Sequence, residues 1–253
     1  MITLRYAAGS DVGRVRQGNE DAGYAGARLL AVADGMGGHV GGEVASSAAI
    51  AAVAYLDHEC SADLAAAAEA GIRRANQRLR ELVEQDPSLT GMGTTLTMML
   101  WDGPRVALAH IGDSRAYLLR NGDLYQITYD HTLVQTLLDD GRITPEEAAR
   151  HPHRSILLQV LDGGDNADPD LSLRDAEVGD RYLLCSDGLS GVVEAERLRH
   201  VLAEVDDLSE VTRQLIDLAC EAGGPDNITC VVAEVVEGPG SEEPVVVGSA
   251  IPS

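Results

Sequence analysis

The order of hydrophobic patterns along the chain predicts an α+β fold in which antiparallel sheets are covered by helices. A β-prone run comes first, two segments with helical spacing follow, and then come several short β-prone runs, further helices and a last apolar run. This order lacks the strict alternation of strand and helix that indicates a parallel sheet. The 253 residues, 45% of them hydrophobic, are enough to bury a substantial core. Phenylalanine is absent, so the core must be built mainly from Ala, Val, Leu and Ile.

The first third of the chain is predicted to hold two strands and two helices. Residues 2–9 alternate weakly, and residues 28–33 (RLLAVA) form an apolar run of the length of a buried strand. Apolar residues recur at helical spacing over 43–57, which predicts a helix with one buried face. A second helix is predicted over 62–85, with Asp63 near its start, where a carboxylate suits the helix dipole.

The middle of the chain is predicted to be an antiparallel meander followed by a helix. Four short β-prone runs succeed one another: TTLTMMLW, RVALAHIG, SRAYLLR and DLYQIT. Asn121-Gly122 between the last two runs is a strong hairpin signal. Residues 131–151 then have a helical pattern, with Thr144 as a candidate N-cap and Pro145 at the first helical position after it.

The last third is predicted to hold two buried strands and two helices, followed by a flexible tail. Residues 181–186 (RYLLCS) indicate a buried strand, helices are predicted near 194–203 and 207–222, and residues 227–236 indicate a final strand. The segment 238–253 is rich in Gly, Pro, Ser and Glu, and we expect a flexible tail there.

The charge of the chain excludes several classes of partner. It has 19 Lys+Arg and 41 Asp+Glu, a formal net charge of −22, which disfavours nucleic acid and anionic lipid and attracts cations, although solubility alone would also explain it. We find no signal peptide and no run of about 20 apolar residues, and expect a cytoplasmic protein. No C-x-x-C pair occurs among Cys60, Cys185, Cys220 and Cys230, so reduced thiols are expected rather than a zinc site.

Three segments share one design, in which a predicted buried strand meets an acid. They are AVADGMGGH (31–39), LLCSDGL (183–189) and GGPDNITC (223–230). Glycine after Asp34 and Asp187 lets the backbone turn sharply, and Mg²⁺ and Mn²⁺ prefer oxygen ligands such as carboxylates. Each Asp-Gly alone is explained equally well as a turn, so only the ordered set indicates a metal site.

Taken together, the motifs resemble the metal-dependent protein phosphatase family, type 2C, in its bacterial single-domain form. The matching segments run in the family order: GRVRQGNEDAG (13–23), VADGMGGHVGGEVAS (32–46), GMGTTL (91–96), AHIGDSRAYLLRNG (109–122), DHTLVQTLLDDGRIT (130–144), LLCSDGLSG (183–191) and GGPDNITCVV (223–232). The resemblance covers about residues 5–236. It implies a four-layer αββα sandwich of two antiparallel sheets flanked by helices, with a catalytic domain over 1–237 and a small flap subdomain over about 130–165.

The resemblance also implies a centre with two tightly bound Mn²⁺ or Mg²⁺ ions. Asp34 would bridge the two cations, and the carbonyl of Gly35 would help to hold the second. Asp187 and Asp226 would hold the first. Three aspartates on one spot would raise one another's pKa unless cations neutralised them, which makes such a centre physically reasonable.

Further roles follow from the resemblance alone. Glu20 would reach a metal through water, and Asp113 would bind a third, looser metal. Arg16 has the position of the family's phosphate-binding arginine, and a guanidinium can grip two phosphate oxygens. Eukaryotic relatives carry a histidine directly after the bridging Asp-Gly, where this chain has Met36. His39 is then a candidate proton donor, with a purely structural role or water on the third metal as alternatives.

The flap region is where the chain departs from the family. Relatives often carry an arginine near the end of the flap, where this chain has Gln159, which puts the flap's substrate contacts in doubt and leaves the metal centre untouched. His131, His151 and His153 are interpreted as surface or turn residues rather than ligands.

The implied activity is hydrolysis of phosphoserine and phosphothreonine in proteins by a water shared between the two metals, without an enzyme nucleophile. The implied partners are phosphorylated proteins, Ser/Thr kinases and their targets in a bacterial cell, met by a monomer that needs neither nucleic acid nor membrane. Three alternatives stay open: an inactive binding module, a specialised phosphatase for an anti-sigma-type regulator, and another two-metal hydrolase such as a phosphodiesterase. The last usually needs several histidine ligands.

Overall fold

Antiparallel strands form two sheets in the computed structural model, which describes residues 2–37, 41–165 and 167–250. In chain order the strands are β1 (Ile2–Asp11), β2 (Asp21–Ala25), β3 (Leu29–Met36), β4 (Gly93–Thr94), β5 (Leu96–Trp101), β6 (Arg105–Ile111), β7 (Arg115–Arg120), β8 (Asp123–Gln126), β9 (Asp170–Asp175), β10 (Arg181–Cys185), β11 (Ile228–Glu237) and β12 (Val245–Gly248). The five-stranded sheet has the order β1-β11-β10-β7-β8. The seven-stranded sheet has the order β12-β2-β3-β5-β6-β9, with β4 paired to β3.

Seven α-helices are described, of which five lie on the outer faces of the sheets and two lie in the flap region. They are α1 (Gly41–Val53), α2 (Leu64–Gln85), α3 (Leu133–Asp139), α4 (Pro145–Ala149), α5 (Asp187–Ser190), α6 (Ala195–Glu204) and α7 (Leu208–Glu221). The helices α1 and α2 pack on the seven-stranded sheet, and α5, α6 and α7 pack on the five-stranded sheet. The helices α3 and α4 are the two in the flap region. The predicted αββα sandwich of two antiparallel sheets is therefore confirmed.

Three layers of apolar side chains hold the sandwich together, because alternate residues of a strand point to opposite faces. In β3, Leu30 and Val32 lie between the sheets, whereas Leu29, Ala31 and Ala33 face α1 and α2. All five are at most 1% exposed. Such strands are buried on both faces, which explains why β3 has a continuous apolar sequence instead of an alternating one.

The predicted meander is wrong, because its four runs divide between the two sheets. The β5–β6 pair belongs to the seven-stranded sheet and the β7–β8 pair to the five-stranded sheet. The chain crosses between the sheets at Gly112, Asp113 and Ser114. Gly112 has φ of 112°, and a Cβ there would lie 2.5 Å from the Thr95 side chain, so only glycine fits this crossing.

Residues with special backbone preferences set the β7–β8 turn, the break after α3 and the start of α4. Asn121 and Gly122 have φ of 55° and 86°, as the predicted hairpin turn between β7 and β8 requires. The single helix predicted over 131–151 is instead two short helices, because Gly141 adopts φ of 65° and interrupts it after α3. The predicted cap at Thr144 is present as a capping box at the start of α4.

The segment after β11 differs from the flexible tail that we expected. Its residues 245–248 form β12, which pairs in antiparallel register with β2. Further hydrogen bonds hold the segment: Ser249 N–H donates to the Asp21 carbonyl (2.7 Å), and the Tyr6 hydroxyl donates to the Glu243 carbonyl (3.1 Å). We expected a flexible tail from the high Gly, Pro and Ser content, but the segment also contains three consecutive valines, which suit an edge strand. Strands β2 and β9 were also not predicted.

No helix within the described residues is both long enough and apolar enough to cross a bilayer.

Candidate metal centre

The ends of strands from both sheets bring four aspartates together at one edge of the sandwich. Asp34 lies in β3 directly opposite Asp21, the first residue of β2. Asp187 begins α5 just after β10, and Asp226 stands just before β11. Because β10 and β11 are neighbours in the five-stranded sheet, their ends place Asp187 and Asp226 side by side.

A cavity of about 470 Å³ opens at this edge. It gathers seven of the residues singled out from the sequence: Arg16, Glu20, Asp34, Gly35, Asp113, Asp187 and Asp226. No histidine or cysteine from the described part of the chain lines this cavity. The remaining candidate, His39, lies outside the described residues.

Burial of like charges dominates the electrostatics of the cavity. Burial, and then the charges of Asp21 and Asp187, raise the pKa of Asp34 well above its usual value. Burial raises the pKa of Asp21 to about 7 against hydrogen bonds that lower it, and the pKa of Asp113 to about 7 with the help of Asp187. Burial and the neighbouring Asp226 raise the pKa of Asp187. The carboxylates thus repel one another strongly unless positive charge lies between them.

The donor set fits hard divalent cations. Asp21 is 1% exposed; its Oδ2 accepts a hydrogen bond from the Ser186 hydroxyl (2.6 Å), whereas its Oδ1 has no hydrogen-bond partner. Buried acids supply the oxygen ligands that Mg²⁺ and Mn²⁺ prefer. No three His, Cys, Asp or Glu side chains among the described residues converge as a ready-made metal shell. The fit therefore rests on the chemistry and charge of the acids and not on preset coordination distances.

Two glycines let the backbones that carry the acids approach each other closely. A Cβ on Gly35 would lie 2.1 Å from the Gly42 carbonyl oxygen at the start of α1. A Cβ on Gly188 would lie 1.8 Å from the Asn227 carbonyl oxygen. Neither position accepts a side chain, so the Asp-Gly pairs are required by packing here and are more than common turn dipeptides.

Arg16 reaches into the acid cluster from the loop between β1 and β2. Its guanidinium Nη2 donates to Asp226 Oδ2 at 2.7 Å, and its side chain is 52% exposed. The hydrogen bond to Asp226 raises the pKa of Arg16, so the arginine stays charged. An exposed, charged guanidinium next to the acids is suited to bind an anionic group that enters the cavity.

Asn227 organises the loop that carries Arg16. It is 5% exposed, and its Oδ1 accepts a hydrogen bond from Glu20 N–H (2.8 Å). Its Nδ2 donates to the carbonyls of Val12 (3.0 Å) and Gly18 (2.9 Å). One amide side chain thereby fixes both ends of the loop against β11.

The flap borders the cavity without covering it with an arginine. Ser155 and Leu157 line the cavity, and Leu157 is bridged to Thr132 at the opposite end of the flap. Gln159 is exposed and does not line this cavity. A second cavity of about 370 Å³ lies under α3 and shares Asp113 with the first.

Two of the three flap histidines agree with the sequence interpretation, and one does not. His153 is exposed and His151 is half-buried. His131 is 9% exposed and therefore not a surface residue; it lies in the segment before α3, where its Nδ1 accepts a hydrogen bond from Gly112 N–H.

Sequence reasoning missed three residues that support the centre: Asp21, Ser186 and Asn227. Each is the direct neighbour in sequence of a predicted ligand, namely Glu20, Asp187 and Asp226. That adjacency was the available signal. It was not sufficient, because only the assembled sheets show that Ser186 and Asn227 bond across to the segment around Asp21.

A two-sheet sandwich with an acid-lined cavity at one edge is suited to hold divalent cations through oxygen ligands. The family model described as protein phosphatase 2C matches residues 13–233. The chain belongs to the protein phosphatase 2C family.

Individual relatives agree with this membership. The chain is 54% identical over 250 residues to the serine/threonine protein phosphatase PstP of Mycobacterium tuberculosis. The matched region covers 98% of this chain and 48% of PstP. The chain thus spans about half the length of that relative. It is 36% identical over 237 residues to the protein phosphatase PhpP of Streptococcus pneumoniae, covering 90% and 96% of the two chains. A crystal structure of the PstP catalytic domain in complex with two manganese ions superposes with a TM-score of 0.88 at 54% identity, covering 94% and 100% of the two chains.

Proposed function

We propose that this chain hydrolyses phosphoserine and phosphothreonine in proteins with the help of two Mn²⁺ or Mg²⁺ ions. The observation that carries the proposal is the single cavity in which acids from separate segments meet Arg16. The PstP and PhpP relatives are named as protein phosphatases, and the PstP catalytic domain binds two manganese ions, which supports the same assignment here.

Asp34, Asp187 and Asp226 are the proposed ligands of the two cations, with the carbonyl of Gly35 at the second. Asp34 would help to hold both ions, and its backbone is fixed by pairing with Asp21 of β2. Its own N–H donates to the Thr95 hydroxyl at 2.9 Å. When bound, the ions supply positive charge and an acidified water for attack on phosphorus. Rigid strand ends suit this role because a ligand set must be held in place before the ions arrive.

Other residues complete the proposed site around the ions. Glu20 would contact a metal through water, and Asp113 would bind a third, looser ion. Arg16 would orient the phosphate by gripping its oxygens, because its guanidinium lies at the mouth of the cavity beside Asp226. The proposed proton donor to the leaving alkoxide is His39 or water on the third ion, and His39 would have a purely structural role in the second case.

Phosphorylated Ser/Thr kinases and their protein targets are the proposed substrates, and a monomer acting in the cytoplasm is the proposed form. The four cysteines are all free thiols, as is usual in a reducing compartment. A net charge of −22 opposes binding to nucleic acid, so phosphate recognition must be local to the cavity.

The test is phosphate release from a phosphothreonine peptide with Mn²⁺, measured on the wild type and on Asp34→Asn and Asp187→Asn. We expect activity that EDTA abolishes and that each substitution lowers at least about 100-fold, since each removes a metal ligand. Asp206→Asn, at an acid with a fully exposed side chain, is the matched control and should keep full activity. Release that is insensitive to EDTA, or equal in all variants, refutes the proposal. An inactive binding module would retain the peptide without releasing phosphate.

A further inference from the structure

His131 connects the flap to the residue that precedes Asp113. The N–H of His131 donates to the Gly112 carbonyl (2.8 Å), and the Gly112 N–H donates to His131 Nδ1 (3.2 Å). The imidazole thus takes the place that a backbone carbonyl has in a strand pair. Because both hydrogen bonds end on Gly112, the peptide that leads into Asp113 is held from two sides.

On the side away from the flap, the Gly112 peptide packs against Thr95. Gly112 has φ of 112°, and the Thr95 side chain lies where its Cβ would be. The Thr95 hydroxyl contacts the Ser114 hydroxyl at 2.8 Å. Gly112 is therefore packed between Thr95 and His131, and loss of the imidazole frees only the side that faces the flap.

The remaining contacts of His131 fix its tautomer and its position. Since Nδ1 accepts the Gly112 N–H, the ring proton lies on Nε2, which faces Asp170 Oδ2 at 3.3 Å. The His110 ring packs beside it, with 4.9 Å between ring centroids. The His131 carbonyl accepts the Leu158 N–H (2.8 Å). One residue thereby joins the far end of the flap, strand β9 and the Asp113 turn.

Asp113 is the side chain that this arrangement presents to the site. Asp113 lines both the main cavity and the cavity under α3, and Asp187 also lines both. Movement of the Gly112–Asp113 peptide would therefore change the distance between the Asp113 and Asp187 carboxylates.

We propose that His131 is a positioning residue, which through Nδ1 holds the Gly112–Asp113 peptide so that Asp113 and Asp187 together take a third, weakly bound divalent cation. The proposal rests on the proposed function, because it assigns that cation to the same cavity. It gives the flap a direct connection to this site, since the same residue pairs with Leu158.

The test compares His131→Asn with His131→Gln. The side-chain oxygen of Asn can stand near the position of Nδ1, and that of Gln near the position of Nε2, so only Asn keeps an acceptor for the Gly112 N–H. Mn²⁺ binding is measured by electron paramagnetic resonance titration without substrate. We expect His131→Gln and His131→Ala to weaken the weakest Mn²⁺ site about 10-fold or more, and His131→Asn to restore most of it, as for other groups that orient metal ligands.

Two controls separate this inference from a general loss of structure. Asp170→Asn removes the partner of Nε2 and should leave the weak site within about 2-fold of wild type. Hydrogen exchange at the Gly112 amide, measured without metal, should accelerate in His131→Gln and return towards wild type in His131→Asn.

Equal Mn²⁺ titrations for the wild type, Asn and Gln variants overturn the proposal, as does equal weakening by Asn and Gln. Loss of every Mn²⁺ site in His131→Ala and His131→Gln alike also overturns it, because the residue would then serve the whole fold. Failure of the proposed function shows itself separately, as a wild-type protein that releases no phosphate.

Discussion

At the scale of single residues, close backbone contacts keep the acids in place. Gly188 follows Asp187 and touches the carbonyl of Asn227, which follows Asp226. This contact holds together the two segments that carry Asp187 and Asp226. The amide of Asn227 then ties the same place to Glu20. The placement of Asp187 and Asp226 thus depends on the residues that follow them in sequence.

Replacing Gly188 with alanine should separate these segments. The new Cβ would lie 1.8 Å from a backbone oxygen, so we expect Gly188→Ala to cost at least about 2 kcal/mol of stability and most of the Mn²⁺ affinity. Urea unfolding and Mn²⁺ titration measure the two effects. Gly18→Ala is the control, because its Cβ would meet nothing within 4 Å. Similar behaviour of the two variants contradicts this account.

Replacing Arg16 should weaken substrate binding without unfolding the protein. Charged hydrogen bonds contribute about 1.5–3 kcal/mol, so we expect Arg16→Ala to lower kcat/KM for a phosphopeptide by roughly 10- to 100-fold. Arg16→Lys should restore little of this, because an ammonium cannot grip two oxygens in one plane. Arg14→Ala, at an exposed arginine on the same loop, is the control for charge alone. An equal loss for Arg14→Ala would show that Arg16 has no specific role.

At the scale of elements, a contact from α2 anchors the end of the flap. Asn76 is 7% exposed; its Nδ2 donates to the Gly164 carbonyl (2.7 Å), and its Oδ1 accepts the Gly163 N–H (2.9 Å). Just before this loop, Leu161 exchanges two backbone hydrogen bonds with Thr94, whose hydroxyl donates to the Asp34 carbonyl. The flap is thus fastened at its exit to β3, the strand that carries Asp34.

Removing the Asn76 amide should loosen this end of the flap. Asn76→Ala leaves two partners without their hydrogen bonds, so we expect a loss of about 1–3 kcal/mol and faster hydrogen exchange over residues 157–164. Gln77→Ala changes an exposed amide on the same helix and serves as the control. Unchanged exchange over this segment in Asn76→Ala would show that the loop is held by other contacts.

Elements defined by strong local signals were predictable from the sequence, and elements defined by partners were not. The Asn121-Gly122 turn and the Thr144 cap follow from residue type, and both are present. The division of the meander between two sheets depends on Gly112, which is required by its φ of 112° and by the Thr95 side chain against it. Strand β12 depends on the open edge of β2. In the site, the predicted ligands lie in recognisable motifs. The raised pKa of Asp21 comes from its burial, which the sequence alone does not show.

At the scale of the whole molecule, buried acids in and beside the cavity oppose the folding of the metal-free protein at neutral pH. Burial raises the pKa of Asp21 and of Asp113 from 3.8 to about 7. A carboxyl whose folded pKa is raised binds its proton more readily in the folded state than in the unfolded state. Its penalty is therefore present above about pH 7 and disappears as the pH falls towards 4.

The metal-free protein should consequently become more stable on mild acidification. We expect its Tm to rise between pH 8 and pH 5.5, and Asp113→Asn to reduce that rise, since Asn does not titrate. With Mn²⁺ present the rise should vanish, because bound cations neutralise the same acids. Thermal unfolding with and without EDTA measures this, with Asp206→Asn as the neutral comparison. A Tm that falls steadily over this range without metal would contradict the assigned direction of these pKa shifts.

Strand β12 has a consequence beyond the architecture, for the behaviour of the protein at high concentration. All five residues of β2 are buried, and an open backbone edge on such a strand is a template for pairing with another molecule. With β12 in place, that edge is occupied, and Glu242 and Glu243 add negative charge just before the new outer strand. A shortened chain that stops at residue 237 would lose this protection and become prone to aggregate through β2.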